Sequence, residues 1–180
     1  MDKPTPPASP FARANLPPFV PPFLAVPSRP LVAIIGGYAL AIVGSLLLSA
    51  IVQLLVPQGD PPDFTNLAEM GPGMTMFMLV IFAPVVETLI MGVILLVLQL
   101  FLRPGYAVLA SAIIWGVFHS LQAPIWGLVI WWPFLIFSTL FVVWRERSMW
   151  LAFLMPAIVH AMQNTLPALL VAFPDALPTG

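Results

Sequence analysis

Past residue 30 the chain alternates between long apolar runs and short polar breaks. The apolar runs extend from about Leu31 to Val56, Thr75 to Leu102, Tyr106 to Leu121, Ile125 to Val143 and Trp150 to Phe173. Strands that face water on one side alternate polar and apolar residues, and nothing here does so. Crossing a ~30 Å hydrocarbon core takes about 20 helical residues. The pattern therefore predicts an all-α, polytopic integral membrane protein with about five transmembrane helices. The third run is short and must stand upright or draw its ends inward. The second is long enough to tilt.

Composition agrees with the pattern. Hydrophobic residues make up 61% of the 180 positions and charged residues 7%, with a mean hydropathy of +1.03. A soluble domain carries about 25% charged residues. The net charge of −1 gives no electrostatic footprint for nucleic acid. With no cysteine, disulfides, thiolate zinc sites and a cysteine nucleophile are excluded.

Three regions follow. Residues 1–30 hold ten of the 22 prolines and read as a disordered, partly polyproline II arm, in which Phe11, Phe19 and Phe23 could touch a membrane surface. Residues 31–173 form the transmembrane domain, and residues 174–180 a short outer tail. Lys3, Arg13, Arg29, Arg103, Arg145 and Arg147 all fall on one side of a five-span topology, while Asp60, Asp63, Glu69 and Asp175 fall on the other. Basic loops stay cytosolic. The expected N-terminus is cytosolic and the C-terminus outside. Trp144 and Trp150 flank the cytosolic turn and Trp126 sits at the far side, so these three read as interfacial anchors. Trp131 and Trp132 read as packing or lipid-facing residues.

Polar groups within the apolar runs are few: Glu87, His119, His160 and Asn164. Taken singly, each has a structural reading, as a bonded neutral acid or a packed imidazole. Depth links them. Glu87 precedes Arg103 by sixteen residues and His119 follows it by sixteen, so each lies ~24 Å from it along its helix. Measured from Arg147, His160 and Asn164 lie at ~20 and ~26 Å. One shared site in the outer half of the membrane is expected. A carboxylate there can take a proton from water, and imidazoles and an amide can bind the water or a developing oxyanion. Glu87, His119 and His160 could equally hold a zinc with an open position, although no HExxH spacing is present. Spacing alone leaves both open.

These residues resemble the CPBP family of intramembrane proteases, the CAAX protease or Abi family, whose motifs read EExxxR, FxxxH and HxxxN. The second stands here as WGVFH, Trp115 to His119, with Trp in place of Phe. The third is complete as HAMQN, His160 to Asn164. The first departs: in APVVETLIMG, Glu87 takes the first Glu, Thr88 the second and Gly92 the Arg. A one-residue shift would instead put Glu87 at the second Glu and Met91 at the Arg. The resemblance runs from Phe82 to about Leu166. It implies a bundle with Glu87 as general base, His119 helping to bind water, and His160 with Asn164 stabilising the oxyanion. It implies no required cofactor, with zinc on Glu87, His119 and His160 as the alternative. Its substrate would be a membrane-associated or lipidated peptide within the lipid bilayer, and its setting a bacterial plasma membrane. The altered first motif keeps a second reading open, a non-catalytic membrane scaffold or bacteriocin-immunity partner retaining the fold. A third is a small transporter or proton relay using Glu87 and the two histidines.

Overall fold

The computed structural model describes residues 16–17, 20–59 and 61–174. Lys3, Phe11, Arg13, Phe19, Asp60, Asp175 and the rest of the 175–180 tail lie outside the described residues. Among the described residues the chain is helical with no strand. Helix α1 spans Pro30–Leu55. After an outer loop with the short α2 (Thr65–Ala68), α3 (Pro72–Met76) passes through a π-helical segment, Phe77–Phe82, into α4 (Ala83–Leu98). Then come α5 (Pro104–Ser120), α6 (Gly127–Trp144) and α7 (Met149–Ala172). Proline opens several of these helices, where its missing N–H is no loss.

Four of these helices are long and apolar enough to cross a membrane: α1, the continuous Pro72–Leu98, α6 and α7. Helix α5 has 17 residues. At ~1.5 Å per residue it reaches ~26 Å, short of a ~30 Å core. It is the short third segment expected from the sequence.

Helix α6 is the axis of the bundle. Every residue from Pro133 to Trp144 is buried, under α1, α5 and α7. Two features bring α1 close to it. Ala33, Gly37, Ala41 and Ser45, four apart, give α1 a stripe of small buried residues. Such stripes let backbones approach where lipid supplies no hydrophobic drive between helices. Beside the stripe, the Trp132 indole N–H donates to the Leu40 carbonyl at 2.8 Å. The ring lies where a Cβ at Gly44 would stand. On the other side of α6, Ser138 donates to Ser111 of α5 at 2.9 Å.

Two sequence expectations change. The described part of the Pro-rich arm is irregular, yet Leu16, Val20, Leu24 and Ala25 are buried in the hydrophobic core. Proline forbids regular structure here but leaves apolar side chains free to dock on α1 and α6, so residues 20–30 are not a free arm. Trp144 is 1% exposed, whereas Trp150 is 71% exposed. Trp144 is a core residue on the central helix rather than an interfacial anchor. In the outer loop, Asp63 accepts from the Thr65 hydroxyl at 2.6 Å and the Thr65 N–H at 2.9 Å, which holds its carboxyl below the usual range.

Gly44→Leu is expected to displace the Trp132 ring and cost about 1–3 kcal/mol, the range for overpacking. Gly73→Leu, where an added Cβ meets open space, is expected to stay within about 0.5 kcal/mol. Thermal unfolding of the two variants in the same detergent checks the difference.

Candidate active site

The site begins with a proline. In the π-helical segment the Ala83 N–H bonds to the Met78 carbonyl, five residues back. The next residue, Pro84, has no N–H. The Leu79 carbonyl therefore has no donor at either i+4 or i+5. Inside a membrane an unpaired backbone group costs several kcal/mol, so a partner must come from elsewhere. Asn164 of α7 supplies it: its Nδ2 donates to the Leu79 oxygen at 3.1 Å. The amide thus ties α7 to the wide turn that leads into Glu87.

One turn back along α7, His160 Nε2 lies 3.5 Å from Glu87 Oε2. These two are the pair that the fold brings into direct contact. The His160 side chain is 4% exposed and that of Glu87 26% exposed, so the carboxylate is the accessible member. The imidazole of His160 stacks on Phe137 of α6, with centroids 4.5 Å apart and planes 25° apart. Its Nδ1 is buried with no partner.

Phe134 contacts both histidines. Its ring centroid lies 5.3 Å from His160 and 5.6 Å from His119. Trp115 stacks on Phe134 at 4.3 Å. The Trp of the WGVFH motif is therefore part of the aromatic wall, and it also fixes His119. The His119 Nδ1 meets the Trp115 carbonyl at 2.8 Å. A carbonyl can only accept, so Nδ1 carries the proton and Nε2 of the neutral ring is an acceptor. Trp126 closes the outer side of His119, edge-on at 4.6 Å. Gly116 and Gly127 allow this: a Cβ on Gly127 would overlap the Gly116 carbonyl, so the α5–α6 corner closes only with glycine.

Of the four residues singled out from the sequence, the structure joins Glu87 to His160 directly. His119 shares the Phe134 ring with His160, and Asn164 reaches the helix before Glu87. Among the described residues no group of three His, Asp or Glu side chains is placed to hold one metal ion. The sequence did not single out Phe134, Phe137 or the Leu79 carbonyl; Pro84, five residues after Leu79, is the signal for the last.

The altered first motif has a packing explanation. Thr88, Met91, Gly92 and Leu95 form the buried face of α4. A Cβ at Gly92 would run into the rings of Phe141 and Phe153. Those rings are packed edge to face at 5.0 Å. Aromatic packing fills the space that a side chain at Gly92 would need.

A family model described as type II CAAX prenyl endopeptidase Rce1-like matches residues 69–166, more than half of the chain. The chain belongs to this family. The matched region carries Glu87, His119, His160 and Asn164, while α1 precedes it. No curated protein and no solved structure matched the chain. Family and apolar helices together make this an integral membrane protein.

Asn164→Leu is expected to leave the Leu79 carbonyl unpaired and destabilise the protein by about 1–3 kcal/mol. Pro84→Ala restores a backbone donor, so Asn164→Leu should cost less in that background. A double-mutant cycle in denaturant should give a coupling above about 0.5 kcal/mol, and strict additivity would show that the amide is not acting on this carbonyl.

Proposed function

We propose that this protein hydrolyses a peptide bond in a membrane-associated or lipidated peptide. The family description names CAAX prenyl endopeptidases, and a prenylated peptide is the substrate class it suggests. The observation that carries the reading is the Glu87–His160 contact of 3.5 Å within an apolar bundle. Ionisable groups at membrane depth face a partner or a cavity and are functional by default.

The chemistry assigned to the site runs as follows. A water held between Glu87 and the accepting Nε2 of His119 gives a proton to Glu87 as its oxygen bonds to the scissile carbonyl carbon. The carbonyl oxygen becomes an oxyanion. The Nε2–H of His160 and the second amide hydrogen of Asn164 donate to it. As the C–N bond breaks, the proton on Glu87 passes to the leaving amine. Carboxylic acid and amine are the products, and Glu87 is again a carboxylate. Phe134, Phe137 and Trp115 hold both imidazoles in fixed planes and keep bulk water away.

The orientation belongs to the same proposal. Arg29, Arg103, Arg145 and Arg147 lie at one end of the helices, where α1, α5 and α7 begin and α4 and α6 end. That end would face the cytosol of a bacterial plasma membrane.

The test is cleavage of an internally quenched peptide with a farnesylated cysteine near its C-terminus, by the protein in lipid vesicles. The native chain should cleave it, and Glu87→Gln should lower kcat by about a hundred- to ten-thousandfold, as expected for loss of a general base. Undiminished cleavage in Glu87→Gln would sink the mechanism. A native chain inert toward the prenylated peptide and its unprenylated counterpart would favour a scaffold that kept the fold.

A further inference from the structure

A cavity of about 440 Å³ lies between α1, the outer loop, the start of α6 and the end of α7. Pockets that hold small ligands fall at about 300–1,000 Å³. Its walls are mostly apolar, from Ile42, Leu46, Val129, Ile130 and Leu170. A polar ladder crosses them. Ser45, Ser49 and Gln53 lie four apart on α1 and all line the cavity, as does Gln163. At its inner end Gln163 is 9% exposed. The Gln163 Nε2 donates to the Ser45 hydroxyl at 3.2 Å. Its Oε1 is buried with no partner.

We infer that this cavity is a docking groove for the substrate peptide in extended form, a reading that rests on the proposed peptidase activity. Three features choose the occupant. First, the unpaired Oε1 needs an N–H or O–H donor. An ester-linked diacyl lipid offers only acceptors at acyl depth, whereas a peptide backbone offers an N–H at every residue. The Ser45 hydroxyl accepts from Gln163, and its own hydrogen is left for a carbonyl. Second, the rungs of the ladder are ~6 Å apart along α1. An extended chain repeats its same-side backbone groups every two residues, ~6.6 Å. Third, the groove ends at the site. Gln163 follows His160 by less than one turn, and Trp126, which lines the groove, is the ring set against His119 at 4.6 Å. An extended peptide entering beside Pro57, Gly59 and Pro61 is thus led, backbone on the α1 ladder and side chains on the apolar walls, to the Trp126 and His119 wall.

The chain has no cysteine, so an introduced one reports its position without background. The experiment uses the full chain with Glu87→Gln in phosphatidylcholine vesicles. It carries either Ser49→Cys in the groove or Leu47→Cys on the same helix, a position 61% exposed and outside the groove. The probe is a short Leu/Ala-rich peptide with one activated disulfide at its centre. Trapping is expected at Ser49→Cys and not at Leu47→Cys. Adding Gln163→Leu should cut the yield about fivefold, the effect of one hydrogen bond. Filling the groove from α6 with Ile130→Trp should abolish trapping, and unchanged melting of each variant shows that the fold is kept. Equal trapping at both cysteines, or trapping indifferent to Gln163→Leu and Ile130→Trp, overturns the proposal. So does exclusive trapping of a phosphatidylcholine bearing the same activated group on its acyl chain, which would give the groove to lipid. The readout is capture rather than cleavage, so a groove that binds peptide in a chain that cuts nothing would separate this inference from the peptidase reading.

Discussion

A backbone carbonyl inside a membrane needs a donor, and the site follows from how one carbonyl finds it. Pro84 removes an N–H, the Ala83 N–H bonds back to Met78, and Leu79 is left with no helical partner. Asn164 closes that gap at 3.1 Å. Leu79 precedes Glu87 on its helix, and Asn164 follows His160 on α7, so the two helices run antiparallel and are pegged at two points. The second peg is the Glu87–His160 contact itself. A carboxylate on a free-sliding helix would meet its imidazole only part of the time. Here the register is set by a hydrogen bond whose loss strands a polar group in hydrocarbon, where water cannot substitute.

The central helix does the complementary work. Lipid is as apolar as the side chains, so helices in a bilayer associate through close packing rather than through exclusion of water. Small residues of α1 and the Gly116–Gly127 corner bring backbones near enough for large rings to interlock. Phe134 and Phe137 of α6 then pack against His160, and Phe134 also packs against His119. Imidazoles are small and can turn, and ring faces on neighbouring helices are what restrict them. Trp115 fits this scheme twice, stacking on Phe134 and offering its carbonyl to His119. The aromatic residue of the second motif thus sets both the wall and the tautomer.

How much of this was legible in the sequence depends on which physics wrote it. The spans were readable, because length and apolarity are one-dimensional properties, and helix breaks fall at Pro57, Arg103 and the Arg145–Ser148 turn. The gathering of Glu87 with His160 was readable from depth, since a rise per residue converts spacing into height. Which face of each helix packs inward was not. In water a buried stripe contrasts with a polar one, but in lipid both faces are apolar, and the burial of α6 leaves no periodic mark on GLVIWWPFLIFSTLFVVW. Trp144 was misread for the same reason: an indole beside an arginine looks interfacial whether it faces headgroups or core. The docked arm was hidden by its prolines, which exclude helix and strand without excluding burial of Leu16, Val20, Leu24 and Ala25.

The altered positions of the first motif lie on the packed face of α4. Two alignments were open, one with Glu87 as the first glutamate and one with it as the second, opposite Met91. Adjacent helical residues point ~100° apart. Thr88, Met91 and Gly92 occupy the buried face of α4, with Met91 fully enclosed, whereas Glu87 turns toward His160. Thr88 and Gly92 are the i, i+4 pair that could have carried a carboxylate and its guanidinium on one face. The space beside Gly92 is filled by Phe141 and Phe153 instead. Losing both members of a buried ion pair leaves no charge stranded, whereas losing one does. The substitution therefore falls on the face of α4 that holds the bundle together and leaves the face that meets His160 intact. The altered positions thus lie on the packed side of α4, whereas Glu87 meets His160.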